Sequence, residues 1–249
     1  MIPEKRREEI VAIVNERKSI TSQELIDIFN SSESTIRRDI TELAKEGKIL
    51  KVFGGAMALD DDFSTEEMTI IQKEKLNREE KIKIAIYAAS LIEPGDYIYI
   101  DSGSTTGLMV NYIFEKNATY ITNAFSHAKV LIKKGLKTIL IGGELKGNTE
   151  AIVGEDAILQ VKKYNFTKGF FGTNGITLKN GLTTPDVREA LLKKVAMDKT
   201  KRGERYILAD SSKFGQISAV TFGNFEGIKV ITNEMPEEKY AKKIFIKVV

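Results

Sequence analysis

With 249 residues, 42% of them hydrophobic, the chain can bury one large core, or a small one beside a medium one. It has no cysteine, which excludes disulfides, thiolate chemistry and cysteine zinc sites, and its single histidine, His127, argues against a histidine metal site. No metal or other cofactor is expected, and a net charge of +3 by itself specifies no partner. There is no apolar run of about eighteen residues and no signal peptide, so a cytoplasmic protein with no membrane partner is expected.

The first helix is predicted from Pro3 or Glu4 to Arg17, with Ile10, Ile13, Val14 and Arg17 on one face. A second, short helix starts at Thr21-Ser22-Gln23-Glu24, spaced as a capping box, and runs to Phe29. Only the polar Asn30-Ser31 separates it from a third, which Ser32 is placed to cap, so the two must turn sharply as in a helix-turn-helix. On the third helix Ile36, Ile40 and Leu43 share a face with Ala44 close by, while Ser34, Arg38, Thr41 and Lys45 lie opposite, flanked by Arg37 and Lys48. Hydroxyls, guanidiniums and ammonium groups are suited to base edges and phosphates. Gly47 is expected to stop this helix, Ile49–Phe53 to form a strand, and Gly54-Gly55 to turn it into a small wing.

Thr35-Ile36-Arg37-Arg38-Asp39-Ile40, followed by Leu43, Gly47, Lys51 and Gly54-Gly55-Ala56, resembles the signature of the DeoR family of bacterial transcription regulators. Phe53 stands where the family usually has His, and Ser31 where it often has Val. The resemblance implies a winged helix-turn-helix over residues 1–58. Ser34, Thr35, Arg37, Arg38 and Thr41 would then enter the major groove of double-stranded DNA, with Lys51 and Lys18 on phosphate. Residues 1–60 hold ten Lys/Arg against eleven Asp/Glu, so affinity must come from local clusters such as Lys5-Arg6-Arg7 and Arg37-Arg38. A homodimer or homotetramer is expected, because two copies double the contacts.

Asp60-Asp61-Asp62 opens an acidic linker placed at 59–76, either a tether or a dimer contact through Met68, Ile70 and Ile71. From Asn77 a helix is predicted with Ile82, Ala85, Ile86 and Ala89 on one face, ending by Pro94-Gly95. The strand Tyr97–Ile100 then runs into Asp101-Ser102-Gly103-Ser104-Thr105-Thr106-Gly107 ahead of another helix, an arrangement suited to a single phosphate. It lacks the lysine of a nucleotide P-loop and the spacing of a dinucleotide fingerprint. His127, on a helix after Asn123, is expected to be structural. Further short strands end at Thr122-Asn123, Gly142-Gly143, Gly172-Thr173-Asn174-Gly175, Asp210–Lys213 and Thr232-Asn233. Strands alternating with helices imply a parallel α/β sheet, with small polar residues gathered at its ligand-binding edge.

Residues 77–249 also resemble the effector domain of the DeoR family, whose fold is similar to ribose-5-phosphate isomerase. The residues that carry this are Asp101-x-Gly103-Ser104-Thr105, Thr122-Asn123, Gly142-Gly143, Gly154, Gly172–Gly175, Gly181-Leu182-Thr183 and Leu208–Gly215. An α+β multidomain regulator is thus implied, a repressor answering to a phosphorylated sugar. Thr183-Thr184-Pro185-Asp186 is most like the fructose-operon repressors, which points to fructose 1-phosphate. Asp101 would accept sugar hydroxyls, Gly103, Ser104, Thr105 and Thr106 would cradle the phosphate, and Asn123 and Lys213 would assist. A sugar-phosphate isomerase is the rival, with Lys179, Arg188 and Glu189 as candidates. Thr173 and Asn174 stand where the isomerase pattern has aspartates, and Arg188 and Glu189 are more simply read as surface residues. A protein-binding role for the N-terminal helices is a third reading, distinguished by the steep salt dependence of DNA binding.

Overall fold

In the computed structural model the described residues are 3–17, 19–46, 48–52, 54–58, 63–64 and 69–249. They fall into two compact units, Met1–Asp61 and Asp62–Val249. The expectations made for Lys18, Gly47, Phe53, Asp60–Asp62 and Met68 lie outside the described residues.

The first unit comprises α1 (Pro3–Arg17), β1 (Ser19–Thr21), α2 (Ser22–Phe29), α3 (Glu33–Lys45), β2 (Ile49–Val52) and β3 (Gly55–Ala58). The Thr21–Glu24 capping box is formed, and Asn30 closes α2 in the left-handed region at φ 46°, its N–H donating to Ile26 O. That cap turns the chain within two residues, and the Ser32 hydroxyl then accepts the Thr35 N–H to start α3. Ile10, Val14, Leu25, Ile36, Ile40, Leu43 and Ile49 close one core. β1, unforeseen in the sequence, pairs antiparallel with β3, which also pairs with β2. A Cβ at Gly55 would stand 2.2 Å from the Ile20 carbonyl, so this close approach requires glycine.

The second unit runs β4 (Phe63–Ser64), α4 (Ile70–Lys75), α5 (Arg78–Ser90), β5 (Tyr97–Ile100), α6 (Ser104–Met109), β6 (Thr119–Thr122), α7 (Phe125–Lys133) and β7 (Lys137–Leu140). Then come β8 (Glu144–Leu145), β9 (Ile152–Val153), α8 (Glu155–Val161), β10 (Lys168–Gly172), β11 (Gly175–Thr177), β12 (Gly181–Thr184) and α9 (Val187–Asp198). It ends with β13 (Arg205–Leu208), β14 (Ile217–Ser218), β15 (Val220–Gly223), β16 (Ile228–Thr232), α10 (Glu238–Ala241) and β17 (Phe245–Val248). The main sheet is parallel, ordered β17-β16-β13-β10-β5-β6-β7. Alternate residues feed opposite cores: Ile98, Ile100 and Phe170 pack on one face, Tyr99 and Phe171 on the other.

Two expectations are corrected. The segment placed in the linker contains β4, which pairs with β14, and α4, whose Ile70 N–H donates to Asn148 O. The buried face of α5 is Lys81, Ile84, Ala85 and Ala88, while Ile86 is 48% exposed, because packing rotates the helix away from the face that hydropathy suggests. An antiparallel sheet, β11-β12-β15, follows the parallel strand β10.

His127 lies inside α7, buried, with Nδ1 unpartnered among the described residues. Burial pushes its imidazole down to about 4, against a smaller opposing effect of the Gly103 backbone. The unfolded chain takes up a proton below about pH 6.5 and the folded chain does not until about 4, so stability is lost as pH falls through that window. His127→Leu is expected to remove that contribution, on the order of 3 kcal/mol. Urea unfolding at stepped pH reads it; identical pH slopes in both proteins would refute the assignment.

Candidate nucleic-acid interface and ligand cavity

The outward side of α3 is polar because its apolar positions are consumed by the core. Ser34 and Arg38 are exposed, and Arg37 is 71% exposed in a 2.7 Å pair with Glu33. Such a surface pair holds weakly and exchanges readily for a phosphate or a base. Thr35 is half-buried, its hydroxyl 2.8 Å from Ser32 Oγ. The Thr41 hydroxyl donates to Arg37 O at 2.7 Å and accepts from Lys51 Nζ at 2.9 Å, so strand β2 brings Lys51 to the helix surface. The six residues singled out in the sequence therefore lie at the start of α3, along its outer side and beside it.

The basic cluster at Lys5-Arg6-Arg7 is not free as expected. Asp39, buried under α3, accepts Arg6 Nε at 2.6 Å and Arg7 Nε at 2.9 Å, and tethers α1. A carboxylate taken from water needs such partners, and the two guanidiniums supply them.

In the second unit a small cleft, partly open to solvent, lies at the C-terminal ends of β5, β10 and β13. Ser102–Thr105, Gly172–Asn174 and Leu208–Asp210 line it where those strands end, with Thr149, Glu189, Lys193 and Lys213 beside them. Ile70, Lys73, Leu76 and Lys81 complete the lining, so four ammonium groups meet two carboxylates there.

The predicted ligand residues divide between lining and support. Gly103, Ser104, Thr105 and Lys213 line the cavity. Thr106 is buried and shapes the loop: its hydroxyl donates to Asp101 O at 2.6 Å and accepts the Gly103 N–H at 2.9 Å. Asn123 is also buried, accepting from Tyr99 OH at 3.1 Å and donating to Ile152 O at 3.1 Å and Ser102 Oγ at 3.3 Å. Asp101 is not the free acceptor that the sequence suggested. Its carboxylate is buried against Lys193 Nζ and accepts the Gly172 N–H at 3.0 Å.

Glu189 was expected on the surface and is buried. Its carboxylate accepts Lys146 Nζ at 2.9 Å and the Thr149 hydroxyl at 2.9 Å. Burial pushes the Glu189 carboxyl up, but Lys193 and Lys146 prevail and hold it ionised below its usual range. Arg188 remains on the surface, paired with Glu144 at 2.8 Å, and Lys179 is exposed.

Sequence reasoning missed Lys81, Lys146 and Lys193, and quoted Asp210 only within a motif. The four-residue spacing of Glu189 and Lys193 on α9 was the available signal for one helix face. Asp210 is buried; its Oδ1 accepts Asn77 Nδ2 at 3.0 Å and the Ser212 N–H at 3.2 Å. Its Oδ2 has no partner among the described residues.

The DeoR-like helix-turn-helix domain profile matches residues 6–62, and that of the DeoR C terminal sensor domain matches residues 76–234. The chain is 39% identical, over 100% of its length and 99% of the relative, to an uncharacterised HTH-type transcriptional regulator, FruR, of Bacillus subtilis. It is 34% identical to a lactose phosphotransferase system repressor of Staphylococcus epidermidis, over 96% of this chain and 95% of that protein. Among solved structures, ribose 5-phosphate isomerase A from Methanocaldococcus jannaschii matches 55% of each chain with a TM-score of 0.40 at 16% identity.

Proposed function

Because the chain belongs to the DeoR family of transcription regulators and is not an enzyme, we propose that it represses a carbohydrate-utilisation operon under the control of a phosphorylated sugar. In this reading the protein is cytoplasmic and binds operator DNA as a homodimer or homotetramer. Ser34, Thr35, Arg37, Arg38 and Thr41 meet the major groove, and Lys51 holds phosphate.

The observation that carries the ligand assignment is the cavity itself: a small-residue loop, four ammonium groups and the Asp210 carboxylate converge at the strand ends. Gly103, Ser104 and Thr105 cradle the phosphate with Lys213 as a point charge, and Asp210 Oδ2 accepts a sugar hydroxyl. Asp101, Thr106 and Asn123 act one layer behind, holding Lys193 and the loop in place. Fructose 1-phosphate is the leading ligand.

The test is a thermal-shift panel of sugar phosphates on the whole protein. A ligand at a hundredfold excess over its Kd raises stability by about 2.7 kcal/mol, whereas a flat panel rejects the reading. Ser104→Glu, which sets a carboxylate in the phosphate loop, is expected to abolish that shift while leaving DNA binding unchanged. A normal response in that variant would rule out the loop as the anion site. DNA affinity should fall log-linearly with salt; salt-independent binding would favour a protein partner for the N-terminal helices.

A further inference from the structure

The main sheet ends at β7 with its outer edge bare. β7 follows β6 as the last strand in the order, and no other described strand pairs with it. The Ile141 N–H donates inward to Thr122 O, so by the alternation of a strand the N–H and C=O groups of Thr138 and Leu140 face outward. Thr138-Ile139-Leu140-Ile141 carries no charge, and Leu140 is exposed. Sheets commonly guard such an edge with lysine or proline, and the opposite edge has Lys247 inside β17. β7 has a lysine only as its first residue, Lys137. The flanking helices add exposed apolar side chains. Ile132 on α7, which packs on β7, is 62% exposed, and Leu159 is 51% exposed on α8, whose Gln160 accepts the Gly142 N–H just past the strand.

Charge along this edge has a direction. Lys133, at the end of α7, and Lys137 are exposed at its N-terminal end, without an ion pair among the described residues. Glu155 and Asp156, exposed and likewise without a described ion pair, open α8 at the other end, where a Cβ on Gly143 would stand 3.2 Å from Ala157. A twofold axis perpendicular to the sheet sets β7 antiparallel to its own copy. Thr138 of each chain then faces the partner's Leu140, and each such pair exchanges both N–H···O bonds. The lysine end of one chain meets the acidic end of the other, whereas a parallel copy would set lysine against lysine. Ile132 and Leu159 are brought toward their own copies, one on each face of the joined sheet. Resting on the reading of the protein as a homo-oligomer, we propose that β7 is where a second copy of this chain joins, so that one sheet runs through both. A twofold pair also supplies the two reading helices that paired half-sites require.

Sedimentation velocity on the full chain, from about 0.1 to 50 µM, reads the assembly. The wild type is expected to be a dimer or a tetramer. Leu140→Lys puts a charge on the edge, and Thr138→Pro removes an outward donor while leaving the inward bonds to β6. Each should lower the assembly by one step, dimer to monomer or tetramer to dimer, with association about a hundredfold weaker. Lys137→Glu, on an exposed side chain, should weaken association about tenfold, and Lys137→Glu/Asp156→Lys should restore it; this pair provides the reading should the strand variants fail to fold. Phe245→Lys on β17 is expected to leave the assembly unchanged. Association within about threefold of wild type in the folded β7 variants, or loss confined to Phe245→Lys, overturns the proposal and leaves the homo-oligomer reading standing. A wild type that is monomeric at every concentration removes that reading as well.

Discussion

Asp101→Ala is expected to destabilise the second unit by about 3–5 kcal/mol, the usual penalty for breaking a buried ion pair by deleting one partner. The Lys193 ammonium is left under the sheet edge with the Gly172 carbonyl, 3.2 Å away, as its described acceptor, and the Gly172 N–H loses its own. Glu189, four residues earlier on α9, is already engaged by Lys146 and Thr149, which limits what it can offer in compensation. Equilibrium urea unfolding followed by circular dichroism reads the loss as a lower midpoint at constant slope. The double variant Asp101→Ala/Lys193→Met removes both charges and should recover most of the stability, because it is the orphaned ion rather than the absent pair that is costly. A single variant as stable as the wild type would show that the pair is not buried as described.

Arg38→Ala is expected to weaken binding to the operator by about 1–3 kcal/mol, provided that the guanidinium forks onto a base. Arg38 is exposed and has no described ion-pair partner to surrender, whereas Arg37 must first release Glu33, at small cost for so exposed a pair. Arg37→Ala should fall in the same range, and the double variant should lose discrimination between operator and random duplex. Lys51→Ala should instead weaken all sequences alike and reduce the salt slope by about one. Gel-shift titrations at several salt concentrations separate these outcomes. Unchanged midpoints for both arginine variants would remove α3 as the reading helix.

The first unit was largely legible because its information is local. The capping box at Thr21, the cap at Ser32 and the 3.6-residue recurrence of Ile36, Ile40 and Leu43 operate within one or two turns. β1 escaped notice because three residues carry no periodicity, and its reason to exist is the partner strand at Gly55–Met57. Asp39 shows the same limit: nothing near it in the chain reveals that arginines 32 and 33 positions away will cover its charge.

The parallel sheet and the gathering of small polar residues at the ends of its strands were legible from the sequence. The division of labour at that edge was not. Which strand-end residue faces the cavity and which lies behind it depends on α9 carrying Lys193 over Asp101, and on α4 and α5 bringing Lys73 and Lys81 to the rim.

The amino-acid order by itself determined the family, the helix boundaries of the first unit and the class of the main sheet, since caps, periodicity and turn residues act through neighbours along the chain. Only the tertiary structure decided that Asp101 is a strut, that Glu189 is buried and that Asp210 Oδ2 has no partner among the described residues. Charges separated by tens of residues set one another's hydration and partners only once folding has brought them together.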